Sequence, residues 1–189
     1  AQEELGESEE RFRSYFELGL IGMAITSPSK GILEVNEEIC KTLGYERDEL
    51  LRKTWAELTH PGDIAADAAE FNRVLVGEID GYSLDKRFIR KDGRVIYATI
   101  SLKCLRLADG SVDYFLALVQ DITERRQAAR RRGVNFAVGQ ILAESPSLNE
   151  ATPRILQTVG ETLGWEIGAM WIADSDANVL RCLKAWHDP

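Results

Sequence analysis

One segment, from Tyr82 to Glu124, constrains the fold of this chain more than any other. Apolar and polar residues alternate in its first block and again from Ile96 to Cys104, and a period of two is the pattern of a strand with one buried face. Asp92-Gly93 predicts a two-residue hairpin turn, and a second Asp-Gly pair at 109–110 turns the chain again. With the apolar run from Tyr114 to Val119, the segment predicts three consecutive antiparallel strands.

The third strand leads directly into a charged segment, residues 124–132, with the sequence ERRQAARRR. Asp121, Ile122 and Thr123 lie between the two, and a threonine just before a helical segment is a favourable N-cap. We therefore predict that the sheet continues into an outgoing helix capped by Thr123. The arginines are interpreted as a solvated helix face, because no aromatic residues interleave them.

The N-terminal half adds two strands and several helices, each bounded by turn or cap residues. In chain order we predict a helix over residues 8–19, strands over Ile21–Thr26 and Ile32–Val35, a helix capped by Asn36 and ended by Gly44, and helices over Arg47–Trp55 and Thr59–Leu75.

The stretches VNEEICKTLGY, RKDGR and DYFLALVQDITERR resemble PAS sensor domains, the last two their PAC-type C-terminal half. The resemblance implies an α+β fold, in which a five-stranded antiparallel sheet carries helices on one face. It also implies that Asp121, Ile122 and Thr123 transmit a signal to the exit helix. The boundaries that follow are the end of an upstream connector helix over 1–7, a PAS domain over 8–123 and a signalling linker helix over 124–133.

Residues 134–189 predict two further helices and a hairpin with strands over Ile167–Ala173 and Val179–Trp186. The sequence EIGAMWIADSDANVLRCLKAWH resembles the opening of a GAF domain. We interpret this segment as a truncated N-terminal part of a GAF domain, an α/β segment that does not hold a GAF ligand.

Composition narrows the class of protein. The net charge of −8 argues against nucleic acid as a partner, and the longest apolar run is six residues, far short of the roughly 20 that a membrane span needs. Three cysteines without CxxC spacing predict neither a disulfide framework nor a zinc site. We expect a cytoplasmic location.

The sequence predicts no catalytic and no metal site, because His60 and His187 lie outside any metal-binding or catalytic motif. The resemblance also speaks against two cofactors. Flavin-binding relatives carry cysteine, asparagine or glutamine where this chain has Trp55, Phe88, Ala98 and Val119. Haem-binding relatives place a histidine on the long helix, where residues 64–72 contain none. We therefore expect neither flavin nor haem.

What remains is an apolar interior that the resemblance makes a candidate pocket for a small apolar ligand. Its predicted lining is Met23, Ile25, Leu43, Trp55, Leu58, Phe71, Phe88, Ala98, Ile100, Leu102, Ala117 and Val119. Lys86 and Arg87 are the candidates for a charge at its edge. The same residues would form an ordinary core without any ligand.

The resemblance implies the sensory module of a multidomain bacterial signalling protein, such as a two-component sensor histidine kinase acting in a phosphorelay. Such a module would form a homodimer and act on a downstream kinase or other output domain. Two alternatives stay open: a ligand-free scaffold for dimerisation, or the sensor input of a diguanylate cyclase or another output enzyme.

Overall fold

The computed structural model describes residues 2–29, 31–174 and 177–188, and side chains from residue 9 onward within these ranges. The chain forms two compact units, the first ending at Thr123 and the second beginning at Glu124. The class is α+β, as predicted.

The first unit is built on a five-stranded antiparallel sheet. In chain order its elements are α1 (Gln2–Glu17), β1 (Gly22–Thr26), β2 (Ile32–Val35), α2 (Glu37–Leu43), α3 (Arg47–Leu50), α4 (Trp55–Leu58), a 3-10 turn (Pro61–Asp63), α5 (Ile64–Leu75), β3 (Gly81–Ile89), β4 (Val95–Arg106) and β5 (Val112–Asp121). The strand order is β2-β1-β5-β4-β3, and α2, α4 and α5 cover the inner face of the sheet. The five-stranded antiparallel sheet confirms the predicted fold.

Asn36 joins three elements of this unit. It is the N-cap of α2, where its Oδ1 accepts hydrogen bonds from Ile39 N at 3.1 Å and from Met23 N at 2.9 Å. Its Nδ2 donates to the carbonyls of Phe16 and Ile21, both at 2.9 Å. Because the side chain is fully buried, these bonds replace all of its contacts with water and tie α1 and β1 to α2.

The connection between β3 and β4 differs from the two-residue turn predicted at Asp92-Gly93. The chain leaves β3 at Ile89 and enters β4 at Val95; Arg90 N donates to Arg94 O at 2.9 Å and Gly93 N donates to Arg90 O at 2.9 Å. Only the glycine of Asp92-Gly93 has a positive φ, +82°, whereas a type I′ turn needs a positive φ at both residues. The longer connection is therefore a turn closed by a left-handed glycine.

Three predicted helix boundaries were wrong. In place of one helix over Arg47–Trp55, the chain forms the single turn α3 and starts a second turn, α4, only at Trp55, because each turn begins at its own capping box, Glu46 with Glu49 and Thr54 with Glu57. The predicted helix from Thr59 starts as a 3-10 turn at Pro61. At the N-terminus, α1 is one helix from Gln2, with no break at residue 8.

The second unit consists of α6 (Thr123–Glu144, beginning at the last residue of the first unit), α7 (Leu148–Leu163) and a hairpin of β6 (Ile167–Asp174) and β7 (Val179–His187). The helix α6 continues through Gly133, since one glycine lowers helix stability by only about 1 kcal/mol, so no structural break separates 124–133 from 134–144. Ile141, Ala151 and Ile155 form the core.

The hairpin lies against α7 through a close contact between Gly160 and Trp186. A Cβ on Gly160 would lie 2.1 Å from Cζ3 of the indole, so only glycine allows this approach. Within the unit Ile167, Trp171 and Leu180 stay exposed.

Candidate functional site

A cavity of about 60 Å³ lies in the first unit, between the inner face of the sheet and helices α2, α4 and α5. Nine of the twelve residues predicted to line a pocket border it: Leu43, Trp55, Leu58, Phe71, Phe88, Ile100, Leu102, Ala117 and Val119. Seven further residues contribute: Ala24, Thr26, Ile32, Ile39, Asp67, Tyr82 and Lys86.

Two predicted lining residues, Met23 and Ile25, were assigned to the wrong face of β1. The buried positions of this strand are 22, 24 and 26, so Ala24 and Thr26 border the cavity. In the sequence MAIT, both faces carry apolar residues, and choosing the larger ones selects the wrong alternation. Ala98 is fully buried but does not border the cavity, because it lies in the packed core beside it.

The cavity wall contains a buried ion pair between Lys86 of β3 and Asp67 of α5, with side chains only 3% and 2% exposed. Lys86 Nζ donates to Asp67 Oδ2 and, at 3.0 Å, to Thr59 Oγ1. The hydroxyl of Tyr82 donates to the other carboxylate oxygen, Oδ1, at 2.6 Å. Both oxygens of Asp67 are therefore engaged, which a buried carboxylate requires.

Aromatic rings cover the ammonium group of Lys86. Its Nζ lies 4.5 Å from the centroid of the Phe88 ring and 5.2 Å from that of Trp55, within the range of cation–π attraction. Burial lowers the pKa of Lys86, and the neighbouring Asp67 opposes this shift. Burial and the bond to Asp67 raise the pKa of Tyr82. The polar cluster is thus a closed network inside an apolar wall.

The sequence predicted Lys86 at the edge of the pocket. It did not predict that Asp67, Thr59 and Tyr82 form a polar cluster with it. The signal for Lys86 was its alternation, because it shares the inward parity of Tyr82 and Phe88 on β3. Asp67 lies one helical turn before Phe71, and both are buried on α5. Since an unpaired buried charge is unfavourable, an inward-facing Lys86 on β3 and an inward-facing Asp67 on α5 are expected to form an ion pair.

A second ion pair follows directly along β3. Arg87 donates from its backbone N and from Nε to Asp63 Oδ2, at 2.7 and 2.9 Å, and from Nη2 to Oδ1 at 2.7 Å. The hydrogen bonds from Arg87 lower the pKa of Asp63 from 3.8 to about 2. Lys86 and Arg87 thus hold the start of α5 to the sheet through two carboxylates one helical turn apart.

The junction between the sheet and α6 begins two residues after Val119, which borders the cavity. Asp121 Oδ1 accepts a hydrogen bond from Thr123 N at 2.8 Å. Ile122 N donates to Tyr97 O at 2.8 Å, and Thr123 Oγ1 accepts from Tyr97 N at 2.9 Å. We call these three residues, 121–123, with their partner Tyr97 the junction.

The prediction that Thr123 caps the outgoing helix was wrong. The helix begins at Thr123 itself, and its hydroxyl is bonded to the backbone of β4. As the first residue of α6, Thr123 does not use its hydroxyl to cap the helix. The hydroxyl instead attaches the start of α6 to β4. Asp121 makes the local turn instead, by accepting from the amide two residues on.

No group of three or more His, Cys, Asp or Glu side chains is placed to hold a metal ion within the described ranges. In that part of the chain, no helix is both long and apolar enough to cross a membrane.

A family model described as PAS domain matches residues 20–124, which is more than half of the chain. The chain belongs to the PAS domain family. The cavity and the junction both lie within the matched residues, so they are features of this PAS domain. The likeness does not extend to the GAF and PAC-type assignments, which stay predictions.

Two curated relatives are signalling proteins. The chain is 35% identical over 123 residues to the probable diguanylate cyclase DgcE of Escherichia coli K12, covering 65% of this chain and 11% of the relative. It is 22% identical over 185 residues to the sensor histidine kinase TmoS of Ectopseudomonas mendocina, covering 94% and 19%. The chain thus spans only a small part of either relative.

Among solved structures, a domain of the sensory box sensor histidine kinase/response regulator from Geobacter sulfurreducens matches with a TM-score of 0.52 and 26% identity. The match covers 62% of this chain and 96% of that domain. The family model thus identifies the PAS domain, and the relatives and the solved structure that resemble this chain are signalling proteins.

Proposed function

We propose that this chain is a sensory segment of a larger signalling protein, in which the state of the PAS cavity is transmitted through the junction to α6. The observation that carries the proposal is the path of β5. Ala117 and Val119 of this strand border the cavity, and the same strand continues without interruption to Asp121.

The neighbouring strand provides the second half of the path. Val119 is paired with Ile100 of β4, which also borders the cavity, and Asp121 is paired with Ala98. One residue further along β4, Tyr97 holds Ile122 and Thr123 through its carbonyl and amide groups. A molecule that moves β5 relative to β4 would strain these bonds and change the start of α6.

A histidine kinase is the output that we favour. The likeness to the kinase TmoS extends over 185 residues and so includes the second unit, whereas the likeness to DgcE covers 123 residues. A cyclase output is the second candidate, because the identity to DgcE is higher. The full-length protein distinguishes them: a kinase phosphorylates itself with ATP, and a cyclase makes a cyclic dinucleotide from GTP.

The remaining parts of the proposal concern the second unit and the assembly. The helix–helix–hairpin order of residues 134–189 supports the first part of a GAF domain, and we propose that the PAS domain works as a homodimer without flavin or haem. The alternative is a ligand-free scaffold, in which changes inside the cavity leave the junction unaltered.

The test of the proposed relay uses Thr123→Val, with Thr123→Ser as the matched control that keeps the hydroxyl. Valine preserves the shape of threonine but leaves Tyr97 N without its side-chain acceptor. We expect faster amide hydrogen exchange at Tyr97 and along residues 124–132 in the valine variant, and wild-type rates in the serine variant. Equal rates in all three proteins would refute the role of the junction.

A further inference from the structure

The charges beside the cavity are already matched within the protein. Asp67 accepts from Lys86 and from Tyr82 through separate oxygens, and Lys86 also donates to Thr59. The ammonium lies against the rings of Phe88 and Trp55. The surface that the cavity presents to a guest is therefore almost wholly apolar.

From this arrangement we propose that the cavity binds a small, neutral, mainly apolar molecule with one hydrogen-bonding group, and rejects acids and amines of the same size. The proposal rests on the proposed sensing function and specifies its ligand class. An anion would have to displace Asp67 from Lys86, and a cation would have to displace Lys86 from Asp67. Either exchange leaves a buried charge without its partner, which is strongly unfavourable.

The volume sets the size of the guest. One water molecule needs roughly 10–15 Å³ of cavity volume, and an apolar cavity of about 150 Å³ holds benzene. At about 60 Å³, this cavity accommodates a molecule of a few non-hydrogen atoms. A three-carbon alcohol is a suitable probe for this range.

Thr26 provides a hydrogen-bonding group in the cavity wall. Its side chain borders the cavity and is buried, and its Oγ1 has no hydrogen-bond partner among the residues that the structure describes. Buried hydroxyl groups nearly always have a partner, so a guest with a hydroxyl or carbonyl group would satisfy this atom. The expected class is therefore a small alcohol, aldehyde or ketone.

The experiment compares 1-propanol, propionate and n-propylammonium at neutral pH on the full chain. These probes have similar size and differ in charge. Binding is followed by NMR of the Ala24, Ala117 and Val119 methyl groups. We expect saturable shifts with 1-propanol and affinities at least about tenfold lower for both ions.

Three variants locate the bound probe. Ala117→Val fills the cavity and should abolish the shifts at Ala24 and Val119, whereas Ala69→Val, at an exposed position on α5, should leave them unchanged. Thr26→Val removes the hydroxyl at constant shape. This variant should bind 1-propanol about tenfold more weakly, which is the scale of one lost hydrogen bond, and should bind 1-chloropropane as tightly as the wild type does.

The outcomes separate this inference from the function on which it rests. Propionate or n-propylammonium binding as well as 1-propanol would overturn the ligand class and leave the sensing function standing. If 1-propanol binds but amide exchange at Ile122 and Thr123 is unchanged, the relay fails and the ligand class stands. If none of the probes binds, the ligand class is overturned, and the response of Ile122 exchange to Ala117→Val decides the relay separately.

Discussion

Replacing Asp67 by Asn should destabilise the PAS domain strongly, because it removes the countercharge of a buried lysine. The two side chains are 2% and 3% exposed, so water cannot solvate the ammonium that remains. Breaking one partner of such a pair costs about 3–5 kcal/mol. The double variant Lys86→Met/Asp67→Leu removes both charges but leaves the Tyr82 hydroxyl without its acceptor, so it should be less destabilised than Asp67→Asn without recovering the full wild-type stability.

Urea unfolding measures this prediction. The indole signal of Trp55 is followed by NMR, because it is the only tryptophan before residue 124 and thus reports on the first unit. Glu49→Gln is the matched surface control, since it removes the charge from the Lys91–Glu49 pair, whose side chains are 50% and 39% exposed, and it should destabilise the protein far less than Asp67→Asn.

The effect of pH gives a second reading of the same variant. Burial lowers the pKa of Lys86, and the loss of Asp67 removes the interaction that opposes this shift. The unfolded chain then binds more protons at Lys86 than the folded chain, so the stability of Asp67→Asn should rise as pH increases toward the unfolded value of 10.5. A cost below about 1 kcal/mol, or an equal cost in the double variant, would refute the reasoning.

Two further predictions concern packing and pH. Gly160→Ala should destabilise the second unit by about 1–3 kcal/mol, because the added methyl group meets Trp186. Gly139→Ala is the control: its methyl group meets nothing within 4 Å, and the variant should stabilise α6 by up to about 1 kcal/mol. Thermal melts of both variants test this. Asp63→Asn removes the carboxylate that Arg87 binds, so the variant should be less stable than the wild type above pH 3.8. The wild type loses this same stability as pH falls through about 2, where Asp63 becomes protonated. Acid titrations of the two proteins should therefore converge there.

The sheet and its order of elements could be predicted because the alternation in residues 82–124 is regular and each strand ends at a turn signal. The faces of β1 could not, because Met23 and Ile25 are apolar on one face while Ala24 is apolar on the other. Only the packing of α2 on the sheet shows which set is inside. The small residue, Ala24, is the one that leaves room for a cavity.

The polar residues of the site were harder to predict than the apolar ones. Asp67 and Lys86 are separated by 19 positions, and nothing local to either residue identifies the other. Thr123 has the residue type and position of a helix cap, but its partner Tyr97 lies 26 positions away on β4. In both cases a contact between distant elements decides the role of the side chain, and local propensity does not contain it.

Amide exchange at Ile122 shows whether the junction responds to the state of the cavity. Its amide donates to Tyr97 O and reports on the bond between β4 and the start of α6. The comparison is between Ala117→Val, which fills the cavity, and the exposed control Ala69→Val. The amide of Leu107, in the hairpin between β4 and β5, serves as an internal reference.

We expect exchange at Ile122 to change by about threefold or more in Ala117→Val, which is a local free-energy change of about 0.6 kcal/mol, while Leu107 keeps its wild-type rate. Ala69→Val should leave both rates unchanged. If the amides of β5 around residue 117 respond to the filled cavity while Ile122 exchanges as in the control, the cavity and the junction are independent and the proposed relay is contradicted.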